Sequence, residues 1–149
     1  MTEQTSSNEP ALASQLMPPH PKADWLLSML VSFANELSLE LGVTINTGGA
    51  IISGTLIGGK TYLVELSEVF AKANGEQAVN DALSQGILRN QNIYETDETP
   101  ALPPAYIHLR NARFWAPDGE SLAATQGFLW RARLSEVSGF SIGGLEPTD

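Results

Sequence analysis

Between Leu39 and Leu66 the chain keeps a two-residue rhythm with a turn in its middle. Leu39, Leu41, Val43 and Ile45 alternate with Glu40, Gly42, Thr44 and Asn46, which predicts a half-buried strand with its apolar side chains on one face. Asn46-Thr47-Gly48-Gly49 tolerates positive φ, and the β-branched run Ala50 to Ile57 follows at once, so a hairpin is predicted. Gly54 and Gly58-Gly59 read as devices that bend a long second strand, which resumes at Tyr62-Leu63-Val64 and completes a strand region over 39–66.

Ahead of the hairpin, Asp24 can cap a helix over 23–38. Leu26, Leu30, Phe33 and Leu37 recur at spacings of four, three and four, and Trp25 and Met29 widen that stripe. The stripe is expected to face the core, each large apolar side chain contributing about 1.5 to 3 kcal/mol if fully buried.

After Leu66 the rhythm becomes helical, with Val69, Phe70 and Ala73 on one segment and Ala78, Val79, Ala82, Leu83 and Ile87 on another, separated by Asn74-Gly75. Asn90 to Pro104 reads as an exposed acidic loop that closes a helical insertion over 67–104. Strands return over 105–145: Tyr106 to Trp115, the turn Ala116-Pro117-Asp118-Gly119, an antiparallel partner from Phe128 to Leu134, and a short closing strand from Val137 to Ile142. The expected fold is α+β, an N-terminal helix followed by a small five-stranded, strongly bent antiparallel sheet or barrel of the Sm/SH3-like kind, with a helical insertion between strands 2 and 3. A curled open sheet packed on the helix is the alternative. Residues 1–22, rich in Ser, Pro, Gln and Glu and ending in Pro18-Pro19-His20-Pro21, read as a disordered arm; 23–145 form a single globular domain, and 146–149 a tail.

Charge narrows the partners. Seventeen acidic and eight basic residues leave a formal charge of −9, a field that repels phosphate backbones and anionic membranes. The absence of cysteine excludes disulfides, thiolate metal sites and a cysteine nucleophile. Neither a signal sequence nor a run of about 18 apolar residues occurs in the 149 residues, so a cytoplasmic protein is expected.

Candidate chemistry is sparse. A nucleophilic triad needs a base, and the histidines are His20 in the arm and His108 between Ile107 and Leu109 on a strand, where a solvent-facing or structural role outweighs a catalytic one. No His and carboxylate cluster has metal-ligand spacing, and the Gly and Lys of Ile57-Gly58-Gly59-Lys60 lack the spacing of a phosphate loop. No catalytic residue, cofactor or metal is therefore expected. Arg110, Arg113, Arg131 and Arg133, by contrast, make up half of the basic residues, and the predicted hairpin gathers them into a positive patch flanked by Trp115 and Trp130. Such a patch suits an acidic protein segment better than nucleic acid; pairing with nearby carboxylates such as Asp118 and Glu136, or with the acidic insertion, is the competing explanation.

The segments GAIISGTLIGGKTYLVELSEVF (Gly49 to Phe70), YIHLRNARFW (Tyr106 to Trp115) and FLWRARLSEVSGFSIGGL (Phe128 to Leu145) resemble the gas vesicle accessory protein U family, GvpU. Ile52, Gly54, Ile107, His108, Leu109, Trp130, Arg131, Glu136, Val137, Gly139 and Phe140 are the most distinctive positions. The chain departs from that family in its long N-terminal arm and in ending on Leu-Glu-Pro-Thr-Asp where some members carry a lysine-rich tail. The resemblance implies a non-enzymatic cytoplasmic protein that associates with gas vesicles, binds their structural or accessory proteins, and acts on vesicle assembly or clustering, with self-association as one means of bridging. An Sm-like RNA-binding protein is the alternative from another class, and the net charge opposes it.

Overall fold

The computed structural model describes residues 23–95, 103–121 and 126–146; the N-terminal arm and residues 96–102 of the acidic loop lie outside them. Helix α1 (Trp25–Leu37) starts where Asp24 accepts hydrogen bonds from the backbone N–H groups of Leu26 and Leu27 at 2.8 and 3.1 Å, and ends at Ser38 in the left-handed region. Strands β1 (Leu41–Thr47) and β2 (Ala50–Ile57) form the expected hairpin across Gly48 and Gly49, both at positive φ. Helices α2 (Gly59–Ala71) and α3 (Gln77–Leu88) follow, then a 3-10 turn over Arg89–Tyr94. Strands β3 (Tyr106–Trp115), β4 (Phe128–Arg133) and β5 (Gly139–Ile142) complete the element order.

The five strands form one antiparallel sheet in the order β4-β3-β2-β1-β5. It is neither closed nor strongly curled, so the barrel expectation gives way to the open alternative. The reason is the pairing of β5: its four residues bond to β1, which leaves β4 and β5 at opposite edges with no ladder between them. The long bent second strand is likewise corrected. Strand β2 stops at Ile57, and Tyr62-Leu63-Val64 lie in α2. The irregularity in the ladder belongs to β3, where Asn111 at φ 52 makes a bulge opposite Gly54. A Cβ at Gly54 would lie 3.0 Å from the Arg110 carbonyl oxygen, so that glycine serves close approach of the bulged strand.

Cross-strand registers separate the two sheet faces. Face A carries Val43, Ile45, Ile52, Leu56, Ile107, Leu109 and Ala112, and buries them against Leu27, Val31 and Ala34 of α1. Face B carries Ile57, His108 and Leu129 beneath α2, where Ile57, Tyr62 and Leu63 form a second, smaller core joined by Leu66, Ile87 and Tyr94. The α1 residues that meet the sheet are therefore not the stripe expected from spacing. Trp25 is 63% and Leu37 72% exposed, and Leu26, Met29 and Phe33 are also exposed. In α3 the buried positions are Asn80 and Ser84, while Val79 and Leu83 face outward; Asn80 donates to the Ala73 carbonyl at 2.7 Å and so closes the α2–α3 connection.

Two stability measurements check this packing. Leu27→Ala removes a fully buried side chain and should cost about 2 to 5 kcal/mol in urea unfolding of dilute protein. Leu37→Ala should cost less than about 0.5 kcal/mol; the reverse order would mean that the other face of α1 meets the sheet. At Gly58 the backbone (φ −70, ψ 157) suits alanine, which by itself would be neutral or slightly stabilising. A Cβ there would lie 2.5 Å from the Ala34 carbonyl oxygen, so Gly58→Ala should instead destabilise by about 1 to 3 kcal/mol.

Candidate functional site: the arginine-bearing sheet face

All four hairpin arginines leave the sheet from face B. Arg131 pairs with His108, Arg133 with Tyr106, Arg113 with Ser53 and Arg110 with Thr55, all partners on that face. Strand alternation puts Arg131 and Arg133 two residues apart on edge strand β4, and the bulge at Asn111 keeps Arg110 and Arg113 in phase despite the odd spacing between them.

Their surroundings differ. The Arg110 Nε–H donates to Glu65 on α2 at 2.7 and 3.1 Å, and its Nη1 bonds Glu40 at 3.1 Å. The Glu65 hydrogen bond, with Glu40 adding to it, raises the Arg110 pKa and keeps this guanidinium charged and committed within the fold. Neither carboxylate is one the sequence reading offered: Glu65 falls within the region expected as strand over 39–66, ahead of the insertion expected over 67–104, and Glu40 precedes β1. Arg131 is exposed, with its guanidinium carbon 3.9 Å from the centre of the Tyr106 ring. It lines the same cleft as Tyr94, whose hydroxyl feels its charge. Arg133 is exposed beside it, and Arg113 is half-buried.

The tryptophans separate. Trp115 lies on face B but is buried. Trp130 pairs with Leu109 on face A and packs against the main core. The structure thus brings Arg131 and Arg133 together with tyrosines. Tyr94 and Tyr106 were missed by sequence reasoning; Tyr106 could have been found from its register opposite Arg133, whereas Tyr94 sits in a stretch without periodicity.

Beside Arg131, a cleft of about 580 Å³ opens between α1, the α2–α3 pair and the start of β3. Leu63, Ile87, Ile93, Tyr94 and Tyr106 give it apolar walls, and Asn35, Glu36 and Arg131 supply its polar groups. A seated cation next to an apolar cleft can take a carboxylate together with a neighbouring apolar side chain, the pairing an acidic peptide segment would offer.

His108, expected at the surface or in a structural role, is 1% exposed. Its ring lies 4.6 Å from that of Tyr62, its Nε2 is 3.4 Å from the Tyr94 hydroxyl, and its Nδ1 has no hydrogen-bond partner among the described residues. Burial, reinforced by the Arg131 charge, lowers its pKa to about 4, so the imidazole is neutral at pH 7. Tyr62 and Tyr94 are shifted upward, chiefly by burial and against the pull of Arg131. Among the described residues no group of three His, Cys, Asp or Glu side chains could hold a metal ion, and no helix is long and apolar enough to cross a membrane.

Together, the helix-backed open sheet and its arginine–tyrosine edge define an α+β domain with a cationic edge beside an apolar cleft. Residues 24–145 match the model of the gas vesicle protein GvpU-like family, and the chain belongs to that family. Comparison with curated proteins and with solved structures finds no match.

The buried histidine makes a stability prediction. Because its folded pKa of about 4 lies below the ordinary 6.5, the unfolded chain takes up the proton first as pH falls. Its contribution is complete above about pH 6.5 and is lost between there and about pH 4, to a maximum on the order of 3 kcal/mol. The His108 ring resonances should not titrate in NMR spectra between pH 5.5 and 8, and His108→Phe should flatten the acid side of the stability profile; a midpoint near 6.5 would contradict the burial.

Proposed function

We propose that this chain is a non-enzymatic gas vesicle accessory protein of the cytoplasm. It binds an acidic segment of the vesicle shell or of another gas vesicle protein through Arg131 and Arg133, and thereby influences vesicle assembly or clustering. Family membership supplies the vesicle context. The observation that carries the binding surface is the seating of Arg131 on the Tyr106 ring beside an apolar cleft that Tyr94 also lines, on a molecule of net charge −9. A guanidinium held by aromatic rings loses less conformational entropy on binding than a free one, so the same contact yields more affinity. Arg110 serves the fold through Glu65 and Glu40, and Arg113 and the buried Trp115 contribute little reachable surface. Trp130 belongs to the core side of the sheet.

A catalytic role for His108 is unsupported, since its ring is buried and neutral. RNA binding loses the barrel on which that alternative rested, and the net charge opposes it further.

Co-sedimentation of the purified protein with intact vesicles, and with vesicles stripped of accessory proteins, tests the proposal. Arg131→Glu with Arg133→Glu should abolish binding while leaving the far-ultraviolet circular dichroism unchanged, and added salt should weaken wild-type binding. Arg110→Met should preserve binding and lower stability by about 1 kcal/mol. Undiminished binding by the double arginine variant would remove the surface from consideration.

A further inference from the structure

Face A and the helix upon it carry almost no charge. Among the described residues, every charged residue within a strand is one of the four arginines, and all four leave from face B. Helix α1 contains one charged residue, Glu36, which lines the cleft with Ser32 and Asn35. Its exposed apolar stripe runs Trp25, Met29, Phe33, Leu37 at a constant spacing of four, with Leu26 beside it. A helix about 10 to 12 Å wide cannot cover a sheet whose strands span roughly 19 Å between edge axes. Accordingly Phe114, Phe128, Trp130 and Phe140 on face A are only half-buried, and Ile142, on the same face opposite Val43, is 59% exposed.

We infer that this apolar face is the contact between two copies of the chain, made by antiparallel packing of α1 on its counterpart. Three properties select a second copy as the occupant. The first is area. The α1 stripe alone exposes roughly 600 Å² per copy, at the upper limit of what a monomer carries without a partner. The half-buried aromatics and Ile142 bring it toward the roughly 800 Å² per partner of a specific interface.

The second is charge. Two molecules of −9 repel, and the repulsion is least where the meeting surfaces are neutral, as face A is. The third is shape. A two-fold contact places the same patch against itself, so it needs a surface complementary to its own copy; a ridge of side chains at i, i+4, i+8, i+12 interdigitates with an identical ridge at a crossing near −50°. Because α1 covers the face opposite the arginines, such a dimer presents two arginine-bearing faces outward on different sides.

Sedimentation equilibrium of the full chain, without vesicles, reads the prediction directly. Wild type at tens of micromolar should show twice the 16.0 kDa chain mass, with association strengthened by added salt, opposite to the salt effect on an arginine contact. Met29→Glu with Phe33→Glu, both at exposed positions, should return the protein to the monomer mass with unchanged circular dichroism. In this cysteine-free chain, Met29→Cys near the two-fold axis should form a disulfide-linked dimer under mild oxidation, and Asp81→Cys on exposed α3 should not. A monomeric wild type, a dimer indifferent to the two glutamates, or equal cross-linking at both cysteines would overturn the interface. A monomer whose vesicle binding is lost in the Met29→Glu/Phe33→Glu variant would assign the stripe to the shell and overturn it equally.

Discussion

At Gly58 the backbone of α1 lies so close that a single methyl group would strike the Ala34 carbonyl oxygen. One residue later the Gly59 N–H donates to the Asn35 side chain at 2.9 Å, and a Cβ on Gly59 would lie 2.2 Å from the Tyr94 ring. The helix on face A, the end of β2 and the helices on face B therefore meet at one dipeptide. Side chains at both positions would push the layers apart, because close packing leaves no void to receive them. The cleft beside Arg131 depends on this crossing in turn: α2 starts here, and Tyr94, which packs back onto it, lines that cleft.

Much of the sheet was legible. β1, β2 and β3 carry regular alternation, the turn at Pro117-Asp118-Gly119 has the expected composition, and Asp24 is a capping residue with its donors in reach. The start of α2 was not, because Tyr62-Leu63-Val64 is a β-prone run and a Gly-Gly pair more often punctuates a strand than opens a helix. Long-range contact decided it: only glycine admits Ala34 and Tyr94 at those positions. That the sheet stays open was equally hidden, since local pattern sets which residues form strands but not which edges meet.

The facing of α1 was illegible for a different reason. Its apolar residues occupy roughly two thirds of the circumference, so periodicity finds two overlapping stripes and cannot rank them. Ala34 settles the choice, its small side chain letting the helix approach Gly58, and it brings Leu27 and Val31 inward with it. In α3 the same logic buries Asn80 and Ser84, short polar side chains that permit close helix approach, with the Asn80 amide satisfied by Ala73. The candidate site was half legible: the cluster of arginines is visible in the sequence, whereas the capture of Arg110 by Glu65 and the aromatic seat of Arg131 on Tyr106 arise from contacts 45 and 25 residues apart in the chain.

Edge strands offer a further reason for arginine on β4. An unpaired strand edge templates pairing with other chains, and charged side chains on it suppress that. Arg131 and Arg133 would meet this need with any flexible cation, lysine included. The arrangement around Arg131 goes further, since a planar guanidinium over Tyr106 exploits a face that an ammonium uses less well and holds the charge in a fixed place beside the cleft. At the other edge β5 is only four residues long and begins at Gly139, so brevity limits its capacity to recruit a strand without any charge. The sheet thus protects its two edges by different means, and only the edge protected by charge also acquires a cation held over an aromatic ring beside a cleft.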